Sequence, residues 1–90
     1  MTSLYALLGR QVAHYRRKAD LTQEELAEAT GYSVDFISLV ERGVNAPTVA
    51  RLKNIAETIG VEVWQLFYPK IGEAPEKQPS MGRNKKSLRR

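Results

Sequence analysis

The sequence predicts an all-α fold built from five short helices. Three observations lead there. Apolar residues recur at three- and four-residue spacing in successive segments, the period of one helix face. Serine and threonine start signals alternate with glycine stop signals along the chain. No stretch alternates apolar and polar residues convincingly enough for a strand, and no internal repeat is visible.

The first helix is expected from about Ser3 to Lys18, with Leu4, Leu8, Val12 and Tyr15 as one apolar stripe. Thr2 or Ser3 can cap its start. Arg16, Arg17 and Lys18 occupy its last turn, where cations suit the negative end of the helix dipole. Asp20 lies in the connection. The second helix begins after Thr22, which with Glu25 forms an S/T-x-x-E capping box. Leu26 and Ala27 point inward, Glu24, Glu25 and Glu28 face water, and Gly31 ends the helix. The third begins after Ser33, runs to about Arg42 and stops at Gly43, and Asn45, Ala46 and Pro47 make the next turn. The fourth starts near Pro47 or Thr48, places Val49, Leu52, Ile55, Ala56 and Ile59 on one face, and ends at Gly60. A short fifth helix, from about Glu62 to Phe67, adds Val63, Leu66 and Phe67 to the core pattern, and Pro69 closes the domain. The expected organisation is a domain over residues 1–68 and a basic, flexible tail over 69–90. From Lys70 onward there is too little apolar surface to offset the entropy of ordering.

The overall charge of +4 is unevenly placed. Residues 69–90 hold Lys70, Lys77, Arg83, Lys85, Lys86, Arg89 and Arg90 against Glu73 and Glu76, a net +5. Residues 1–68 sum to −1, so any interaction with a polyanion must be argued for the body from where its charges sit. There is no cysteine, hence no disulfide or thiolate metal site. The single histidine, His14, lies off the apolar stripe and is expected to be exposed. No nucleophile–base set, metal cluster or phosphate loop is present, so the chain is not expected to be an enzyme or to carry a cofactor. No small-molecule ligand is evident. No apolar run approaches the about 18 residues of a membrane span, and the N-terminus lacks the features of a secretion signal. These readings place the protein in the cytoplasm.

The stretch Leu21–Gly43 holds two helices joined by a turn at Gly31, the arrangement of a helix-turn-helix DNA reader. Such a unit needs a second helix that packs one face and leaves the other free. Turned at about 100° per residue, the third helix places Val40, Ser33 and Glu41 within about 60° of an inward Ile37. Phe36 lies at the shoulder, and Asp35, Leu39 and Arg42 point away with Ser38 beside them. The candidate base-contacting set is Ser33, Val34, Asp35, Ser38 and Leu39. The serines offer polar groups, Val34 and Leu39 suit thymine methyls, and Asp35 suits the amino group of cytosine. Candidate phosphate contacts are Gln23 at the start of the second helix, Arg42 and Asn45 at the end of the third, and Arg10 and Arg17, with Lys18 a further cation.

Several features coincide at matching spacing: Leu21-Thr22-Gln23, Glu25-Leu26-Ala27, Gly31, Ser33, Ile37-Ser38, Glu41-Arg42-Gly43, Pro47 and Ile55-Ala56. Together they closely resemble the lambda-repressor-like (XRE/Cro-type) helix-turn-helix family, over about Leu8 to Phe67. The resemblance implies a five-helix DNA-binding domain and a transcriptional regulator that binds a double-stranded operator as a homodimer on the nucleoid. It also implies that Gln23 meets phosphate, that the Ser33–Leu39 face enters the groove, and that Arg16 and Glu41 form an ion pair. Trp64, turned partly outward by the core pattern around it, is a candidate dimer anchor. The basic end RNKKSLRR can track phosphates as an arm. The competing reading is a helix-turn-helix protein-interaction module such as an antitoxin, favoured by Asp35 and Leu39 on the outer face.

Overall fold

The computed structural model describes residues 3–76. Its elements are α1 (Leu4–Lys18), α2 (Gln23–Thr30), α3 (Val34–Glu41), α4 (Val49–Ile59) and α5 (Val63–Leu66). Local chemistry sets most of the boundaries. Ser3, Thr22, Ser33 and Thr48 each accept a backbone N–H from three residues on, at 3.0, 3.0, 3.0 and 3.2 Å. Thr22 and Glu25 complete the capping box, with the Thr22 N–H donating to Glu25 Oε1 at 2.8 Å. Between α2 and α3 the chain turns at Gly31, whose φ of 82° is left-handed and costs a glycine nothing.

The core gathers residues from all five helices: Leu8, Val12 and Tyr15 from α1, Leu26 and Ala27 from α2, and Ile37 and Val40 from α3. Leu52, Ile55, Ala56 and Ile59 of α4 and Leu66 of α5 complete it. The tightest approach is between α1 and α3. A Cβ built on Gly9 would stand 2.4 Å from the Val40 carbonyl oxygen and 2.5 Å from that of Glu41. The two backbones therefore meet at a position where only hydrogen fits, and α3 is seated hard against α1.

Three residues expected in the core are not there. Leu4 is 55% exposed, Val49 78% and Phe67 38%. Leu4 and Val49 are each the first residue of a helix, and Phe67 is the cap that ends α5. Periodicity assigns such end residues to a face, but the neighbouring helices do not extend far enough to cover them.

Part of the stretch expected to form the tail, Lys70–Pro75, returns against α1 and α5. Gln11 of α1 is fully buried. Its Nε2 donates to the carbonyls of Tyr68 and Lys70 at 2.7 and 3.3 Å, and its Oε1 accepts the Gly72 N–H at 3.0 Å. Gln65 Nε2 adds a bond to the Pro75 carbonyl at 3.3 Å. Gly72 in turn lies on the imidazole of His14, close enough that a Cβ would overlap it. His14 is half-buried rather than exposed, and it meets the Tyr15 ring edge-on at 5.0 Å. The basic cluster RNKKSLRR lies outside the described residues. Among those described, no helix is long and apolar enough to cross a membrane.

Candidate nucleic-acid interface

The interface is built outward from a buried ion pair. Arg16 Nε donates to Glu41 Oε2 at 2.7 Å and Arg16 Nη2 to Glu41 Oε1 at 3.1 Å, with only 9% and 5% of the two side chains exposed. This fork-on-fork geometry is the strong form of a guanidinium–carboxylate contact. Arg16 Nη1 also donates to the Leu21 carbonyl at 2.7 Å. One guanidinium thus ties the last turn of α1 to the end of α3 and to the connection leading into α2.

Glu41 accepts a third hydrogen bond, from a second partner that the sequence did not indicate. Gln23 Nε2 donates to Glu41 Oε1 at 2.9 Å. The Gln23 amide is therefore fixed by the buried carboxylate rather than free in solvent. Its second N–H and the unpaired backbone N–H groups of the first turn of α2 remain available beside it.

Around Gln23 the fold collects residues distant in sequence. A cleft between α1, α2 and α3 is lined by Arg10, Ala13, His14, Arg17, Gln23, Ser38, Glu41, Arg42 and Ile71. It brings together Arg10, Arg17, Arg42, Gln23 and Ser38 from the sequence-predicted set. The remaining candidates lie elsewhere. Asn45 is not part of the cleft, and its N–H donates to the Leu39 carbonyl at 3.3 Å. Ser33 spends its hydroxyl oxygen capping α3. Val34 and Asp35 are exposed in the first turn of α3, and Leu39 is half-buried. Trp64 is half-buried on α5, in a separate groove with Lys53, Ala56, Glu57, Val61, Glu62 and Val63.

On the opposite flank of α3 stands a second cluster that sequence reading missed. The rings of Tyr32 and Phe36 meet edge-to-face at 5.4 Å. The Arg51 guanidinium of α4 lies 5.6 Å from the first ring centroid and 5.2 Å from the second. Asn54 Nδ2 donates to the Tyr32 hydroxyl oxygen and to the Thr30 carbonyl, both at 3.1 Å, fixing the turn against α4. No local signal reveals this cluster, because Arg51 sits a full helix away from the rings it covers.

Comparison with known proteins fits this geometry. Residues 12–63 match the family described as Helix-turn-helix. The chain belongs to the helix-turn-helix family. This helix-turn-helix chain is 40% identical over 63 residues to the HTH-type transcriptional regulator y4dJ of Sinorhizobium fredii, a match covering 70% of this chain and 82% of that protein. It is 36% identical over 62 residues to the HTH-type transcriptional regulator SlrR of Bacillus subtilis, spanning 68% of this chain and 41% of SlrR. Among solved structures it resembles the clp gene regulator ClgR from Corynebacterium glutamicum with a TM-score of 0.71 and 27% identity, over 73% of this chain and 85% of that one. A hypothetical transcription factor, NHTF, from Neisseria gives a TM-score of 0.71 at 30% identity, over 74% and 77% of the two chains. The all-α, five-helix lambda-repressor-like expectation holds in family and in fold.

Proposed function

We propose that this helix-turn-helix protein, a DNA-binding transcriptional regulator, lays α3 in the major groove of a two-fold related operator and binds there as a homodimer. The observation that carries the docking mode is the cleft beside α3. There Arg10, Arg17 and Arg42 surround Gln23 and Ser38, while the outer face of α3 stays open.

In this reading Gln23, Arg10, Arg17 and Arg42 hold phosphates, and Asn45 adds a contact from the turn after α3. These contacts set register and carry no sequence information themselves. Val34, Asp35, Ser38 and Leu39 meet base edges, with Ser33 at the mouth of the groove. None of these five makes the two-point contact that Arg, Asn or Gln makes with a purine, so the shape of the duplex shares in recognition. The buried Arg16–Glu41 pair acts indirectly, through Gln23 and the seating of α3. The DNA-binding domain covers residues 1–68, Gln11 holds the chain that follows it as far as Gly72, and the basic stretch 69–90 adds positive charge for phosphates. The work is done on duplex DNA of the nucleoid and needs no cofactor.

Trp64 anchors the dimer in this proposal. Analytical ultracentrifugation checks it: the mass is expected to rise with concentration and to stay monomeric in Trp64→Ala, and an unchanged mass removes Trp64 from the interface. Asp35 and Leu39 support a second reading, a module that docks on another protein. Salt titration of binding to random-sequence duplex separates the two. Deletion of residues 77–90 should leave binding that weakens as salt rises. Complete loss of binding on that deletion favours the protein-interaction reading.

A further inference from the structure

A helix in the major groove has a phosphate backbone on each side, about 12 Å apart. Four of the phosphate contacts proposed above, Gln23, Arg10, Arg17 and Arg42, line the cleft on the Ser38 side of α3. Phe36 stands about 200° around the helix from Ser38, and the flank it marks carries the Arg51 guanidinium of α4. We propose that Arg51 is a phosphate clamp for the second backbone, pre-positioned by the Tyr32–Phe36 aromatic pair. The inference rests on the DNA-docking mode proposed above and adds a contact to it.

Three features make Arg51 suitable. It is exposed, and among the described residues it makes no ion pair. Its guanidinium is held 5.2 to 5.6 Å from two ring centroids, so little rotamer freedom remains to be lost on binding a phosphate. One of those rings belongs to α3 itself, so the cation moves with the reading helix. Phosphate presents oxygens that accept two parallel N–H bonds from a guanidinium, and ring stacking leaves the guanidinium edge free to donate them.

The test compares the full-length wild type with Arg51→Met and Arg51→Lys, measuring affinity for a random-sequence duplex from about 50 to 200 mM salt. Methionine still covers the two rings without a charge, whereas lysine keeps the charge. Arg51→Met is expected to lower the slope of log affinity against log salt by about 0.9 and to weaken binding roughly five- to tenfold near 0.1 M salt, uniformly across sequences. Arg51→Lys should keep the wild-type slope. A wild-type slope in Arg51→Met makes Arg51 a structural stack only and overturns the proposal, while leaving the DNA-docking mode intact. A slope lost equally in Arg51→Lys traces the effect to packing and overturns it too. Absence of salt-dependent duplex binding by the wild type overturns both this inference and the function it rests on.

Discussion

Replacing Glu41 with alanine is the perturbation most strongly constrained by the structure. The change removes the acceptor of three hydrogen bonds, two from Arg16 and one from Gln23. It leaves a guanidinium with 9% of its side chain exposed and one remaining protein acceptor, the Leu21 carbonyl. Breaking a buried pair by removing one partner costs about 3 to 5 kcal/mol. The retained bond to Leu21 puts Glu41→Ala near the lower end, about 3 kcal/mol. A domain of this size holds on the order of 4 to 10 kcal/mol in total, so the loss is a large share. At about 4 to 8 °C per kcal/mol, the melting temperature should fall by roughly 12 to 24 °C. Urea denaturation followed by circular dichroism measures the loss directly. The double variant Arg16→Met/Glu41→Leu should recover most of it, because no charge is then left unpaired. A loss below about 1 kcal/mol in Glu41→Ala, in the range of an exposed pair, would refute the reasoning.

Three further outcomes follow from individual contacts. Gly9→Ala should destabilise by about 1 to 3 kcal/mol in urea, because its methyl would overlap backbone oxygens of α3 rather than a yielding side chain. An ordinary helix-interior Gly→Ala change has the opposite sign, so a stabilised variant would contradict the close approach. Gln11→Leu should leave the carbonyls of Tyr68 and Lys70 and the N–H of Gly72 unpaired, costing about 1 to 3 kcal/mol. Hydrogen exchange at Gly72 should accelerate in that variant, and unchanged protection would argue against the clip. Asp35→Asn removes a negative charge from the exposed first turn of α3 and installs a side chain suited to adenine. Gel-shift titration at low salt should show tighter binding to random duplex, and weaker binding would take Asp35 away from the DNA face.

The parts of the fold written in local chemistry were legible in the sequence. The capping box at Thr22 and Glu25, the start of α3 after Ser33, and the turn at Gly31 involve residues three or four apart, so spacing alone exposes them. What depended on distant partners was not legible. Gly9 looks like an ordinary residue of a helix until the backbone of α3 arrives beside it. Gln11 interrupts an apolar stripe, and only the return of the chain at Tyr68 to Gly72 gives its buried amide partners. The same return covers His14.

The site divides in the same way. The family resemblance pointed to Arg16 and Glu41 as an ion pair and to Gln23 apart from them, while Glu41 Oε1 joins all three in one network. Arg10, Arg17 and Arg42 were separate cations in sequence, and three-dimensional packing puts them in one cleft. Arg51 carried no signal, because a lone arginine on an exposed helix face reads as a solvated charge until the rings beneath it are seen.

Selection of binding sites from random-sequence DNA by the full-length protein tests the central claim most directly. The account predicts an enriched inverted repeat whose half-sites lie about 34 Å apart, one turn of duplex, or a multiple of it. Failure of any sequence to enrich, or enrichment of a site with no two-fold symmetry, would contradict it.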